Sequence, residues 1–236
     1  MNRPRVTLKL ATSLDGRIAT ASGQSKWITG PAAREQVHRL RAVHQAVLVG
    51  VETVIADDPE LTVRMPGFMG VQPFRVALDT RQRTPTGCKL VAEAHRLETV
   101  VITTREPAAR LTDAGVTVLQ VDEQDGRVDL GAALGALRTY MLERMRRAWP
   151  DWAARVTEEA NVGAVMVEGG GQVAASFVAA GLVDAVEWFR APMVLGDEGR
   201  PAIGEFVLER LADAPRFKRT AVRAIGEDLW ESYERA

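Results

Sequence analysis

The stretch Val165–Gly181 reads VMVEGGGQVAASFVAAG. An apolar run stops at Glu168, three glycines follow, and an alanine-rich segment with helical spacing begins. A strand that breaks at a glycine turn and restarts as a helix is the connection of a parallel sheet covered by helices. Glycines let a ligand approach the backbone, and the new helix start offers its N–H groups to an anion. The turn differs from the GxGxxG fingerprint, and a tight strand–helix connection needs the same residues.

Outward from this stretch the pattern repeats. RVTLKLA (5–11) alternates Val6, Leu8 and Leu10 with Thr7, Lys9 and Ala11. AVLVG (46–50), FRVALD (74–79), TVVITT (99–104), GVTVLQV (115–121) and VGAVMV (162–167) are short runs rich in β-branched residues, as strands buried on both faces are. Helical spacing falls between them: residues 31–44 set Ala33, Val37, Leu40 and His44 on one stripe, and 129–147 and 171–181 are also helical in pattern. The alternation predicts an α/β fold with a mainly parallel twisted sheet and helices on both faces. Residues 183–196 read as a strand and a loop. Residues 216–236 read as two strands around Gly226, antiparallel additions at a sheet edge. No stretch rich in Pro, Gly or Ser divides the chain, so a single domain over 1–236 is expected.

Thirty basic and thirty-one acidic residues nearly cancel in 236, which gives no reason to expect nucleic acid or an anionic membrane as partner. With one cysteine, Cys88, no internal disulfide can form, and the expected role of that thiol is packing. His38, His44 and His95 lack metal-ligand spacing, so no metal is expected. No run reaches transmembrane length and the N-terminus lacks a signal-peptide core, which places the chain in the cytoplasm. Residues 137–161 stand apart: Arg-rich, with Trp149 and Trp152 flanking Pro150. They read as a helix with a solvated basic face and a proline break, or as a subunit contact.

The residues suited to chemistry cluster around a few loops. Lys9 sits mid-strand between covered faces, so its ammonium must pair, face a ligand cleft, or snorkel from an edge. GQSKWITG (23–30) leads into a helix at Pro31, with Gly30 or Thr29 as cap. Arg34, His38 and Arg41 form a second stripe on that helix, either a solvated face or a set of forks suited to phosphate. In VGVETVIADDPELTVR (49–64), Asp57-Asp58-Pro59 signals a turn or cap, and Arg64 could join Arg41 on one phosphate. Arg81, Arg83 and Arg105 follow strand ends, where open α/β sheets bind ligands. They are candidates for the 2′-phosphate that separates NADPH from NADH.

Together KLATSLDGRIATASGQSKWITGPAAR, VLVGVETVIADDPELTVR, LDT and VMVEGGGQVAASFVAAGLVD resemble the reductase domain of the bifunctional riboflavin-biosynthesis deaminase/reductase. The resemblance covers residues 5–80 and 162–196. It implies a dihydrofolate-reductase-like fold, NADPH as hydride donor, and 5-amino-6-(5-phosphoribosylamino)uracil as the substrate, reduced at C1′ to a ribityl chain. By the same resemblance Ser25, Arg41, Leu61 and Arg64 would hold the phosphorylated substrate, with Glu168 at its other end. Trp27, Thr53, Asp57, Thr80 and the loop of Gly170, Gly171, Gln172, Val173, Ala174, Ala175 and Ser176 would hold the cofactor. Lys9 matches a lysine facing the ribose hydroxyls, and Lys9 and Asp57 are the candidates for proton transfer. The family tendency is toward homodimers.

Three departures qualify the resemblance. The zinc deaminase half needs H-x-E and P-C-x-x-C, which one cysteine cannot supply, so a stand-alone reductase or a fragment is expected. Glu52 stands where a glycine is expected before Thr53. Residues 137–161 exceed the usual link and read as an insertion. Two rival readings remain: a reductase of the same fold acting on another pyrimidine or a pterin, and a non-catalytic NADPH-binding sensor or scaffold.

Overall fold

The computed structural model describes residues 3–148 and 163–236. In chain order the first elements are β1 (Arg5–Thr12), β2 (Arg17–Ala19), α1 (Pro31–Val43), β3 (Ala46–Gly50), α2 (Val51–Asp57), β4 (Phe74–Leu78), α3 (Lys89–Ala92), β5 (Thr99–Thr103), α4 (Ala109–Thr112) and β6 (Thr117–Gln120). There follow β7 (Glu123–Gln124), β8 (Arg127–Val128), α5 (Leu130–Ala148), β9 (Ala164–Val167), α6 (Gly171–Ala179), β10 (Ala185–Arg190), β11 (Arg200–Pro201), β12 (Phe217–Ile225) and β13 (Asp228–Arg235). The class is mixed α/β, with mainly parallel strands and an antiparallel C-terminal hairpin, as the sequence predicts. Trp149, Pro150 and Trp152 lie outside the described residues, while 137–148 continue α5.

The chain divides into two compact units, each built from three separate segments. One comprises residues 1–5, 42–62 and 70–165. Its strands β3, β4, β5 and β6 pair in that order, all parallel, with Leu48 opposite Val76, Val76 opposite Val100 and Val101 opposite Val118. Every residue of β3 and β5 is buried, which is why neither run alternates between apolar and charged residues. The exception on β4 is Arg75, fully buried. Its guanidinium donates to the Leu90 carbonyl at 2.9 Å and to Thr99 Oγ1 at 2.5 Å, which ties the end of α3 to the strands. Helix α5 buries Ala133, Leu134, Leu137 and Met141 along one stripe. Tyr140 and Arg144 on the same helix both donate to Glu98, at 2.9 Å each, just before β5.

The other unit comprises residues 6–41, 63–69 and 166–236. Here β1 pairs parallel with β10, Leu8 opposite Val186, and β13 runs antiparallel between β10 and β12. The β12–β13 turn is closed by Gly226 at φ 63°. Helix α1 starts where expected: the Gly30 carbonyl accepts the Arg34 N–H at 3.2 Å, and the buried Asp228 carboxylate accepts the Gly30 N–H at 2.7 Å. A carboxylate at that end satisfies a free donor and meets the positive end of the helix dipole. Two details differ from the sequence reading. The apolar stripe of α1 ends before His44, because the helix stops at Val43, and Arg41 from the polar stripe is buried instead. Residues 51–57 form a helix that the sequence reading left unassigned. It closes at Asp58, in the left-handed region at φ 42°, beside the expected Asp-Asp-Pro stop.

Candidate active site

Three elements of the second unit bring charges together. Lys9 projects from β1, Arg41 lies in the last turn of α1, and Glu168 follows β9. Arg41 Nε donates to Glu168 Oε1 at 2.6 Å and its Nη2 donates to Oε2 at 2.9 Å, a two-pronged pair. The two side chains are 11% and 9% exposed. Burial alone would raise the Glu168 pKa. The charge and hydrogen bonds of Arg41 outweigh it, Lys9 and His38 add to them, and the carboxyl is held at about 2. At Lys9 burial wins: it pushes the ammonium pKa down, Glu168 pulls it back up, and the Arg41 charge lowers it again. An ion pair that is charged at neutral pH thus stands beside a lysine whose pKa burial lowers.

The sequence reading gives Arg41 to the substrate phosphate and Glu168 to the opposite end of the substrate. The structure sets these two against each other, because a guanidinium drawn into the interior needs a carboxylate there. His38, on the expected stripe but without an assigned role, accepts the Arg64 N–H on Nδ1 at 3.2 Å and adds positive potential at Glu168. Its spacing, one turn before Arg41, was the available signal. The Arg64 side chain is exposed and Ser25 is half-buried. Trp27 is 67% exposed, and the Arg34 guanidinium lies 4.5 Å over its ring while donating to the Thr29 carbonyl at 2.8 Å. This cation–π contact holds the loop at the head of α1.

The triple glycine has two explanations. Gly169 and Gly170 take φ values of 107° and 78°, which favour glycine. Gly171 is required by the chain itself: a Cβ there would stand 2.3 Å from the Pro201 carbonyl oxygen, and its own carbonyl accepts the Gly204 N–H at 2.8 Å. Gly170 caps α6 with no side-chain hydrogen bond. Ala174 and Ala175 are buried, and Ser176 Oγ donates to the Gln172 carbonyl at 2.9 Å. The first turn of α6 therefore offers a ligand mainly backbone.

The remaining candidates belong to the first unit. Leu61 is buried with φ 56°. Thr53 is half-buried on α2 and Asp57 is exposed at its end. Thr80 follows β4; its Oγ1 accepts the Val128 N–H at 3.3 Å, and its carbonyl accepts the Thr103 and Thr104 hydroxyls at 3.1 Å each. Arg81, Arg83 and Arg105 are exposed just beyond β4 and β5. Exposed arginines at strand ends are donors of a kind that fits a phosphate. Among the described residues no helix is long and apolar enough to cross a membrane, and no group of three His, Cys, Asp or Glu could hold a metal ion.

Comparison with known proteins identifies the family of the chain. A family model described as the RibD C-terminal domain matches residues 4–146 and 149–230. The riboflavin biosynthesis protein RibD of Actinobacillus pleuropneumoniae is 34% identical over 235 residues, which cover 98% of this chain and 57% of that one. The chain thus spans little more than half the length of such relatives. A Methanothermobacter thermautotrophicus protein named 2,5-diamino-6-ribosylamino-4(3H)-pyrimidinone 5′-phosphate reductase is 33% identical, with 98% of both chains covered. Among solved structures, Acinetobacter baumannii RibD superimposes with a TM-score of 0.78 at 31% identity, covering 100% of this chain and 59% of that one. The Saccharomyces riboflavin biosynthesis reductase Rib7 shares the fold, with a TM-score of 0.67 at 23% identity, covering 100% of this chain and 91% of that one. The fold is the dihydrofolate-reductase-like α/β class, and this chain belongs to the RibD C-terminal domain family.

Proposed function

We propose that the chain is an NADPH-dependent reductase of riboflavin biosynthesis. It reduces C1′ of 5-amino-6-(5-phosphoribosylamino)uracil to give the ribitylamino product, with residues 1–236 serving one reductase activity. The observation that carries this reading is the buried Arg41–Glu168 pair beside Lys9, in a chain whose relatives include a named pyrimidinone 5′-phosphate reductase. We place Ser25, Arg41, Leu61, Arg64 and Glu168 in substrate binding. In this reading Arg41 keeps Glu168 charged, so that the carboxylate can accept hydrogen bonds from the substrate's N–H or O–H groups. Arg64 and Ser25 face the phosphate. Trp27, Thr53, Asp57, Thr80 and the backbone of Gly170–Ser176 hold NADPH, which supplies a hydride when bound.

Before reduction the ribosyl ring must open. The C1′–O bond breaks, its electron pair leaves with the ring oxygen, and that oxygen takes a proton while the nitrogen lone pair forms a C1′=N bond. Lys9 suits this proton, because its depressed pKa brings donor and acceptor forms closer to neutral pH. Asp57, exposed at the end of α2, is the second candidate. Lys9→Ala is expected to lower turnover by about two orders of magnitude while leaving NADPH affinity within about twofold. Wild-type rates in that variant would remove Lys9 from the reaction.

The Methanothermobacter relative is named for a pyrimidine that still carries its 2-amino group, and that alternative substrate is the main competitor. Loss of NADPH absorbance should be followed with the uracil, its 2-amino counterpart, the dephosphorylated uracil and dihydrofolate in parallel. Oxidation with the phosphorylated uracil alone supports the reading. Equal rates with and without the phosphate would overturn it in favour of another pyrimidine or pterin. NADPH binding without oxidation by any of the four would favour a sensor. A homodimer in the cytoplasm is part of the same proposal.

A further inference from the structure

The turn after β4 is built more firmly than an exposed loop requires. Asp79, Gln82 and Thr84 are buried within it. Asp79 Oδ2 accepts both the Thr84 N–H at 2.6 Å and the Thr84 hydroxyl at 2.7 Å. The Gln82 amide spans to the next strand's loop, donating to the Glu106 carbonyl at 2.6 Å and accepting the Ala108 N–H at 2.8 Å. Arg110 donates to the Thr84 carbonyl at 2.7 Å. What this frame presents outward is Arg81 and Arg83. Glu52, in the first turn of α2, reaches Arg83 and pairs with its guanidinium. Gly50 and Leu78, the last residues of β3 and β4, are register partners, so Glu52 and Arg83 meet at the carboxyl ends of adjacent parallel strands. Dinucleotides bind there in open α/β sheets: an arginine takes a ribose 2′-phosphate, and a carboxylate takes a free 2′-hydroxyl.

We propose that Glu52 sets the dinucleotide preference of this chain: it holds the Arg83 guanidinium in competition with a ribose 2′-phosphate, and so narrows the preference for NADPH over NADH. The inference rests on the cofactor reading above. The pair is solvent-exposed on both sides, 47% at Arg83 and 74% at Glu52, so a phosphate can displace the carboxylate at small cost. Once displaced, the carboxylate stays near the dianion and repels it, whereas NADH brings no charge to that position. Glu52 therefore penalises NADPH and does not penalise NADH, from whose free 2′-hydroxyl it can accept a hydrogen bond.

The test is equilibrium binding by calorimetry on the full chain, with NADPH, NADH and adenosine 2′,5′-bisphosphate, for wild type, Glu52→Gln and Arg83→Gln. Glu52→Gln is expected to tighten NADPH and the bisphosphate about fivefold without tightening NADH, and the gain should shrink at high salt. Arg83→Gln should weaken NADPH and the bisphosphate by a similar factor and abolish the effect of a second Glu52→Gln change. A wild-type NADPH/NADH ratio that Glu52→Gln leaves unchanged overturns this inference alone. A wild type that binds neither dinucleotide overturns the cofactor reading, and this inference with it.

Discussion

A carboxylate withdrawn from water resists ionisation unless a cation answers it, and at Glu168 the answer comes from Arg41, 127 residues earlier. Removing one member leaves the other buried and uncompensated. Arg41→Met is expected to cost about 3 kcal/mol in urea unfolding at neutral pH, and adding Glu168→Leu should recover most of that loss. The pH dependence follows from the depressed carboxyl. Its pKa is about 2 in the folded chain against an ordinary 4.5, so its stabilising contribution is complete above pH 4.5 and lost as pH falls toward 2. Glu168→Gln should therefore flatten the acid limb of the stability curve over that interval. An unchanged limb would show that other carboxylates carry it. Lys9 has the opposite effect on stability. Burial disfavours its charged form, so Lys9→Met should raise the melting temperature at neutral pH even as turnover fails, and the gain should shrink as pH climbs toward 10.5. The residue types of this cluster were legible in the sequence, but the pairing was not. Helical spacing marked Arg41 as polar, and only the long-range contact shows that it points inward.

Among the elements, the strands were the most readable, because their buried runs are rich in β-branched residues and, at about five residues, too short for an ordinary helix. The C-terminal hairpin was readable from Gly226 for the same kind of local reason. Arg75 was hidden inside such a run: FRVAL signals a strand, and nothing local reveals that the arginine is swallowed by carbonyls of α3 and the turn after it. The glycines before α6 suggested room for a ligand. Gly171 also makes room for the 201–204 backbone, with the Pro201 oxygen 2.3 Å from where a Cβ would stand. Gly171→Ala must displace backbone rather than a flexible side-chain tip, and is expected to cost about 3 kcal/mol. Chemical denaturation of that variant, with dinucleotide binding measured alongside, checks it. Helix α1 depends on an equally distant group. Asp228→Ala removes the acceptor for the Gly30 N–H and should cost about 1–2 kcal/mol.

At the scale of the whole chain, the absence of a linker rich in Pro, Gly or Ser suggested an undivided domain. Two compact units alternate along the chain, each assembled from three segments, so the passages between them are ordinary strand and helix ends with no compositional signature. The parallel run β3–β6 lies almost wholly within consecutive sequence. The other unit is different: Thr7 on β1 finds its register partner in Ala185, and β13, which completes that arrangement, ends at Arg235. Pairings so remote along the polypeptide form late. During synthesis the first strand must therefore leave the ribosome long before its neighbours exist, exposing an apolar edge to other nascent chains. Translation-arrested chains that stop before residue 183 should leave residues 6–41 open to protease while β3–β6 resist it, and early protection of the amino-terminal segment would show that another partner shelters it meanwhile.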